Sequence, residues 1–347
     1  MRILLFSERL RAPYDEGIKN VAVHLMGALT VDHDVLALTS AGQEDTAYGI
    51  QNMDVNRLLL SAELRRAVRR FRPQAIIYVP TACGTVFSFL RARVLRLYGQ
   101  GACTVLITLQ PRHYTAWGRW LIGCLASDWV LAQSTRTSET LENLGCRTSL
   151  LPPAVDVQRF HPILPEERAA LRARYGVPVE ATVVTHVGHL KGKRNLSRFL
   201  ALQALVGYHT VLVASTSTEH DAVLKETLRG AGITVMDGYI MNIEDIYHLS
   251  DLYLFLAEED TAAIELPLSV LEAMACNLPV VCTPFGGLPD FFEPGHGLFY
   301  WRGQTELCDM VKLALSIPCA TRALVESCTW SAAAQSVTQL LSASGVS

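Results

Sequence analysis

Two acids and two bases follow predicted strands in the second half of this 347-residue chain. Glu265 lies just before a predicted helix over residues 269–276, and Glu272 begins the second turn of that helix. Lys193 and Arg194 follow another predicted strand and a glycine. Cations at such a position can stabilise the charge that develops on a departing diphosphate. The pattern predicts a site for an anionic substrate; alternatively, the acids lie on an ordinary surface loop and helix and the bases on a solvated turn.

The free backbone amides at the start of that helix, near Leu268 and Ser269, suit an anion such as phosphate. A predicted strand over residues 251–257 comes before the helix, and another begins at Pro279, as in a βαβ crossover. Ligands of open α/β sheets bind beyond the carboxyl ends of the strands. The sequence therefore places these amides where a ligand would bind.

The residues around this helix also form a longer motif. Its parts are LEAMAC at 271–276, PVV at 279–281 and GGLP at 286–289. The stretch resembles the signature of glycosyltransferase family 4, which comprises retaining enzymes of the GT-B fold. The two glutamates of that signature stand eight positions apart, whereas here Ile264 occupies the first position and Glu265 stands seven positions before Glu272.

The resemblance implies roles for these residues. Glu272 would hold the ribose hydroxyls of a nucleotide sugar, and Glu265 would contact the donor sugar. In the family, a Gly-Arg-Leu triplet and a later Lys bind the diphosphate, and here Gly188 and His189 stand at the Gly and Arg positions. Because imidazole titrates near neutral pH, this clamp would be weaker or pH-dependent.

Two cations compete for the position of the family's Lys. Lys193 and Arg194 both lie near it, and a gapless alignment favours Arg194. The resemblance implies that one of them binds the diphosphate and helps it to leave, which makes both candidate catalytic residues.

Weaker similarity singles out five further residues. Gly17 is the one glycine that remains where the family usually has a Gly-Gly pair facing the donor, although a plain turn is the alternative. Tyr239 and Ile240 match a stretch that packs against the nucleotide base, unless they are core residues. Arg112 and His113 follow a predicted strand at about the point where the family lines its acceptor cleft, which makes them candidate acceptor-side groups.

The charge of the chain is uneven. The net charge is -3, but residues 1–165 carry 18 Lys and Arg against 13 Asp and Glu, and the remainder carries 12 against 20. A positive first half fits contact with something anionic, such as a membrane surface. The basic helices predicted at 63–71 and 87–98 could lie on anionic lipid, or they could merely cover a parallel sheet.

Cysteine usage and hydropathy predict the compartment. The nine cysteines form no CxxC pair and no metal-like spacing, as expected of reduced thiols in cytosol. The apolar run at the start is too short for a signal peptide, and no run of about 18 apolar residues suggests a spanning helix. We expect a cytoplasmic protein that can attach peripherally to the cytoplasmic membrane face.

Strands alternate with helices in both halves of the chain, which predicts an α/β fold with two doubly wound sheets. The resemblance implies the GT-B arrangement, in which two Rossmann-like domains face a central cleft. The proline-rich run over 150–162 places the boundary near residue 160. The prediction is an acceptor domain over 1–160, joined by a C-terminal helix at about 330–347, and a donor domain over 161–329.

The reaction that the resemblance implies is transfer of a sugar from a nucleotide-diphosphate sugar to a hydroxyl of a glycan, glycolipid or small molecule, with retention of configuration. It needs no metal ion and no cofactor beyond the nucleotide sugar, and we expect no nucleic-acid partner. Two alternatives stay open: a nucleotide-sugar epimerase or hydrolase on the same fold, and a non-catalytic nucleotide-sugar-binding protein. The shifted Glu265, His189 and the missing second glycine near Gly17 favour the latter.

Overall fold

A computed structural model describes residues 1–40, 44–216 and 221–346 of the chain. These residues form two compact units, Met1–Pro153 together with Trp330–Ser347, and Ala154–Thr329. Each unit contains one parallel β-sheet with helices packed on it. The predicted fold class, α/β with two Rossmann-like domains, is confirmed.

The four central strands of the first unit are mainly apolar, as expected where helices cover both faces of a sheet. The strands of this unit are β1 (Arg2–Phe6), β2 (Asp34–Thr39), β3 (Ile50–Asn52), β4 (Ala75–Tyr78), β5 (Cys103–Ile107), β6 (Trp129–Ala132) and β7 (Thr148–Leu150). They form one sheet in the order β3-β2-β1-β4-β5-β6-β7.

The helices between these strands begin at hydroxyl side chains in several cases. They are α1 (Gly17–Leu29), α2 (Ala62–Phe71), α3 (Val86–Tyr98), α4 (Ala116–Leu125) and α5 (Thr135–Glu142). Ser61, Thr85 and Thr115 each accept a hydrogen bond from an amide in the first turn of α2, α3 and α4, respectively. Helix α3 packs against both α2 and α4.

The second unit repeats the design with a smaller sheet. Its strands are β8 (Thr182–Gly188), β9 (Tyr208–Ala214), β10 (Thr234–Met236), β11 (Leu252–Phe255), β12 (Val280–Cys282) and β13 (Leu298–Tyr300). Its helices are α6 (Pro165–Arg174), α7 (Phe199–Gln203), α8 (Ala222–Gly230), α9 (Glu244–His248), α10 (Leu268–Ala275), α11 (Leu288–Phe291), α12 (Leu307–Ser316) and α13 (Thr321–Val325). The strand order is β10-β9-β8-β11-β12-β13. The sequence predicts a helix over 220–230, of which residue 220 lies outside the described residues.

The final helix, α14 (Trp330–Ala343), belongs to the first unit, where it packs along α1. The ring of Trp330 stacks on that of His24 with their centroids 5.2 Å apart. Nε2 of His33 lies 2.9 Å from Oγ1 of Thr338. Among the helices in the described ranges, α14 included, none combines the length and the apolar character needed to cross a membrane.

The division between the units falls earlier than residue 160. Residues 154–160 pack with the second unit, because the amide of Val155 donates to the carbonyl of Cys328 at 2.9 Å. The ring of Phe160 meets that of Tyr247 edge to face, with centroids 5.6 Å apart. The change of unit follows directly after Pro153, and the apolar side chains of Val155 and Phe160 belong to the core of the second unit.

Candidate functional site

The predicted donor residues lie near the carboxyl ends of β8 and β11, where the strand order of the second sheet reverses. From β8 the chain runs to β9 on one side, and it later returns to β11 on the other side of β8. Such a reversal leaves a crevice beyond the strand ends, and ligands of doubly wound sheets bind there. Gly188 is the last residue of β8, and Phe255 is the last residue of β11.

Arg194 is buried beside the end of β8. It ends a single 3₁₀ turn, Gly192–Arg194, and its side chain lies 5.4 Å from the ring of Phe255. A Cβ added at Gly188 would stand 2.6 Å from Nη1 of Arg194, which is closer than such atoms approach. The glycine is therefore required so that the guanidinium can lie against the strand.

Arg194 keeps its charge in this setting. Burial lowers its pKa to about 10, which still leaves it a cation at neutral pH. Within residues 1–40, 44–216 and 221–346, no carboxylate forms an ion pair with Arg194, and its Nε has no hydrogen-bond partner. A buried charge is costly unless it is paired, so this position is suited to binding an anion.

His186, which the sequence analysis did not single out, lies beside Arg194. Its Nδ1 is 2.9 Å from the carbonyl oxygen of Leu254, so Nδ1 carries the proton and Nε2 is an acceptor. Burial and the charge of Arg194 lower the pKa of His186 to about 3, which keeps the ring neutral. Nε2 is buried, has no hydrogen-bond partner among the described residues, and would lie 3.1 Å from a Cβ at Gly188. A neutral acceptor and a cation thus border the same gap.

The other predicted cations are more exposed than Arg194. Lys193 forms an ion pair with Glu259 at 2.7 Å, and about half of each side chain is exposed. Its Nζ also lies 3.4 Å from Oγ1 of Thr261. His189 is half-buried just beyond β8. Sequence spacing could not choose between Lys193 and Arg194, and the structure distinguishes them by burial.

Glu272 lies half-buried on α10 and is held by a tyrosine that the sequence analysis missed. The hydroxyl of Tyr247 donates to Oε2 of Glu272 at 2.5 Å. Burial raises the pKa of Glu272 to about 7, although the hydrogen bond from Tyr247 and the charge of Arg159 oppose the shift. The carboxyl group is consequently divided between its neutral and charged forms near pH 7.

A second tyrosine links the predicted residues. Tyr253 is fully buried on β11. Burial raises its pKa, while a hydrogen bond with Ser269 and the charge of Arg194 lower it and the charge of Glu272 raises it. Ser269, Arg194 and Glu272 therefore lie within electrostatic range of one hydroxyl group.

Glu265 is buried, with 2% of its surface exposed, and the GGLP loop closes around its backbone. The amide of Gly287 donates to the carbonyl of Glu265 at 2.8 Å. Gly286 has φ of +54°, and a Cβ there would come within 2.3 Å of the same carbonyl oxygen. The loop can take this course only with glycine at 286. Ile264, at the position of the family's first glutamate, is also buried.

Leu268 and Ser269 begin α10, so their amides lie in the first turn, where a helix has no internal acceptor for them. Tyr239 is 54% exposed in the loop after β10 and is not a core residue. Ile240 is half-buried against the cluster around Ile246. The structure thus leaves the Tyr239 ring open to a planar ligand.

The predicted residues of the first unit are grouped less tightly. Gly17 begins α1, His113 is exposed, and Nη2 of Arg112 donates to the carbonyl of Ala82 at 2.9 Å. A different residue, Glu8, lies at the switch between β1 and β4. Its carboxylate accepts from the amide of Thr81 at 2.9 Å, and from Arg91 and Tyr78.

Comparison with known proteins gives a family match within the second unit. Residues 181–315 match the family model described as Glycosyl transferases group 1. The match to this family covers the strands, helices and loops that carry Arg194, Glu265 and Glu272.

The chain is also similar to proteins that are named glycosyltransferases or mannosyltransferases. The chain is 28% identical over 169 residues to the putative teichuronic acid biosynthesis glycosyltransferase TuaC of Bacillus subtilis (strain 168), covering 47% of this chain and 40% of that one. It is 31% identical over 205 residues to a GDP-mannose-dependent alpha-mannosyltransferase of Mycobacterium tuberculosis (strain CDC 1551 / Oshkosh), covering 58% and 50%. The chain thus spans half or less of the length of these two relatives.

A solved structure matches over nearly the whole chain. Anabaena Alr3699/HepE in complex with UDP superposes with a TM-score of 0.77 at 17% identity, covering 99% of this chain and 100% of that one. At this identity the likeness concerns the fold alone.

Proposed function

We propose that the protein is a retaining glycosyltransferase that moves a sugar from a nucleotide-diphosphate sugar to an acceptor hydroxyl. The observation that carries the proposal is the buried Arg194, which has no counter-ion among the described residues and lies at the strand-order switch of the second sheet. A diphosphate would supply the missing negative charge.

In this proposal Arg194 acts most strongly as the sugar–phosphate bond breaks, because negative charge then accumulates on the leaving diphosphate. Lys193 would add a second, weaker charge from the exposed side. The first-turn amides of Leu268 and Ser269 would donate to phosphate oxygens. His189 would take part only when it is protonated. These groups lower the barrier only insofar as they bind the diphosphate more strongly in the transition state than in the ground state.

The other donor contacts follow from the same placement. Glu272, once ionised, would accept hydrogen bonds from both ribose hydroxyls, and Tyr239 and Ile240 would cover the base. Glu265 would contact the donor sugar, despite its one-residue displacement from the family's pattern. Gly17, Arg112 and His113 would be on the acceptor side or close to it.

We further propose that the reaction needs neither a metal ion nor a cofactor, since cations and amides of the chain would neutralise the diphosphate. The described residues hold no group of three or more His, Cys, Asp and Glu able to bind a metal. Full transfer activity in excess chelator would support this part of the proposal, and activity restored only by a divalent ion would contradict it.

The proposed setting is the cytoplasm, with polysaccharide or glycolipid synthesis as the pathway class. Relatives named for teichuronic acid biosynthesis and for mannosyl transfer support this class. The basic helices α2 and α3 support a peripheral contact with an anionic membrane, although α3 contributes less than its sequence suggests. Arg91 pairs with Glu8 and Arg96 with Asp128, each at 2.8 Å, so both arginines are engaged within the unit.

The decisive experiment is a thermal-shift screen of nucleoside diphosphates and nucleotide sugars, because a ligand that binds the folded state raises Tm. We expect at least one nucleoside diphosphate to stabilise the wild type, and Arg194→Gln to abolish the shift. Arg198→Gln is the matched control, since Arg198 is exposed on the same segment and stacks on Trp301.

Transfer to simple alcohols and glycans from the stabilising nucleotide sugar would then be measured. Turnover supports the transferase. Binding without turnover across broad donors and acceptors would indicate the non-catalytic alternative, and conversion of the donor without transfer would indicate the epimerase or hydrolase. An equal shift in wild type and Arg194→Gln would overturn the assigned diphosphate site.

A further inference from the structure

Two tryptophans stand out on the surface of the first unit. Trp117 and Trp120 on α4 are 77% and 63% exposed, and their rings meet edge to face with centroids 6.2 Å apart. By contrast, Trp129 and Trp301 are buried. Large exposed aromatic side chains are unusual on a soluble surface unless they meet a partner.

The helix that carries these tryptophans is fixed to the unit by its opposite side. Ile122 is fully buried, and a Cβ at Gly123 would come within 2.9 Å of the carbonyl oxygen of Leu144. Gly118 lies against Val86, since a Cβ there would stand 3.4 Å from its Cγ2. The tryptophans are therefore presented by a packed helix rather than by a loose segment.

Apolar exposure continues on the neighbouring helix. Phe87, the residue after Val86 in α3, is 61% exposed, and Leu97 near the end of α3 is 64% exposed. Since α3 packs against α4, four large apolar side chains are exposed on two adjacent helices.

The charged residues of α2, α3 and α4 are almost all basic. Helices α3 and α4 contain no Asp or Glu, and Glu63 is the sole acid in the sequence of α2. The exposed cations on the three helices are Arg65, Arg66, Arg69, Arg70, Arg93 and Arg119. A protein partner for such a face would need a complementary row of acids, whereas an anionic bilayer offers negative charge across its whole surface.

We propose that the first unit docks on an anionic phospholipid bilayer through α4, with Trp117 and Trp120 inserted at the headgroup level. Tryptophan prefers this depth because its ring is apolar while its N–H keeps a polar partner. Arg93 and Arg119 bind lipid phosphates beside it, and the α2 arginines add longer-range attraction. This inference rests on the proposed membrane association, and it assigns the inserted residues to α4 rather than to the basic helices α2 and α3.

The test uses the full chain and vesicles of phosphatidylcholine, with and without about 30 mol% phosphatidylglycerol. Flotation should recover the wild type with the anionic vesicles and at least about tenfold less with the neutral ones, and high salt should weaken the binding. Trp117→Ser/Trp120→Ser should lower binding to anionic vesicles at least about tenfold. Val206→Ser/Val223→Ser is the matched control, because both valines are strongly exposed in the second unit.

Tryptophan fluorescence supplies a second readout. Anionic vesicles should shift the wild-type emission to shorter wavelength and protect it from iodide, and the double Trp variant should lose both effects. Equal binding of the wild type and the double Trp variant would overturn the proposal, as would the absence of wild-type binding.

A further overturning result would be a concentration-dependent dimer that the Trp substitutions dissociate while vesicles bind nothing, since the face would then join two copies of the chain. Thermal shift by a nucleoside diphosphate, measured on every variant, keeps this test separate from the proposed transfer. A variant that no longer binds vesicles but is still stabilised by a nucleoside diphosphate is folded, and its donor site is intact.

Discussion

Two arginines of the second unit are buried to the same degree but differ in their hydrogen-bond and ion-pair partners. Arg172 and Arg194 are each 6% exposed. Arg172 donates through Nε to the carbonyl of Leu249 at 2.8 Å and through Nη2 to Asp251 at 2.6 Å, and its Nη1 lies 2.7 Å from the carbonyl of Val179. Arg194 has no ion pair, and its Nε no acceptor, within the described parts of the chain.

The difference separates a structural cation from one available to a ligand. A buried charge that is fully hydrogen-bonded holds elements together, and its removal leaves unpaired partners behind. A buried charge without partners costs stability by itself, so its removal should leave the fold intact or strengthen it. We therefore expect substitutions of the two arginines to affect different measurements.

The largest effect on stability is expected from Arg172→Met. It leaves Asp251 bound by Arg168, at 3.1 Å, and by the amide of Val183. Three backbone carbonyls also lose the donor that Arg172 supplied. We expect the free energy of unfolding, measured by urea titration, to fall by about 3 kcal/mol. Arg194→Met should change it by less than about 1 kcal/mol or raise it. Equal losses in the two variants would break the comparison.

Gly188→Ala tests the position of the Arg194 guanidinium separately from its charge, because the substitution displaces the side chain without replacing it. The added methyl group overlaps Nη1 of Arg194, so the guanidinium must move, at a cost of about 1–3 kcal/mol. We expect nucleoside diphosphate affinity, measured by calorimetry, to fall about tenfold. Gly192→Ala is the control, since nothing lies within 4 Å of its Cβ position; a similar loss there would assign the effect to the loop backbone.

Glu272 tests whether a partly buried acid, like a buried arginine, costs stability when it is charged without a counter-ion. Its pKa is raised from 4.5 to about 7 in the folded protein, so the folded state holds a proton that the unfolded chain has lost. The stability contributed by this proton is complete below pH 4.5 and disappears as the pH rises through 7.

Glu272→Gln should therefore have a Tm about 2–4 °C above that of the wild type at pH 8, and little advantage at pH 4.5. Because a carboxylate accepts hydrogen bonds more strongly than a neutral carboxyl group, the proposed ribose contact predicts that wild-type nucleotide affinity rises between pH 6 and 8, roughly one unit to either side of that pKa. A pH-independent Tm difference would contradict the raised pKa.

The smallest effect is expected from His186→Phe. The ring packing against Phe199 and Phe255 can survive, whereas the neutral acceptor beside Arg194 is lost. Nε2 can accept only from a donor such as a sugar hydroxyl, so one lost hydrogen bond of about 1 kcal/mol corresponds to roughly a fivefold weaker binding of the nucleotide sugar. His209→Phe is the control, because His209 bonds Thr234 in a neighbouring strand; unchanged affinity in His186→Phe would remove His186 from the site.

Much of the second unit could be predicted because its signals are local. The LEAMAC helix, its flanking strands and the GGLP loop follow one another within about 40 residues, and α10 departs by one residue from the predicted span. What spacing could not give was the choice between Lys193 and Arg194. The structure shows that Arg194 is the one buried against Gly188 and Phe255, whereas Lys193 is exposed, and neither fact could be read from spacing.

The supporting residues could not be predicted for a similar reason. His186 sits in an apolar strand, where a histidine suggests a core residue, and Tyr247 lies 25 positions before the acid it contacts. On α4, both faces of AWGRWLIGCL contain apolar residues, and only the packing of Ile122 and Gly118 shows that the tryptophans point outward. Contacts made across elements carry no local sequence signal.

The return of α14 to the first unit has a consequence for how the protein is made. The two crossings between the units are tied by the bond from Val155 to Cys328, and everything between them can fold as an uninterrupted stretch on the ribosome. The first unit, in contrast, leaves the surface of α1 uncovered until α14 has been synthesised. A growing chain therefore cannot complete the first unit until all the residues of the second unit have been synthesised.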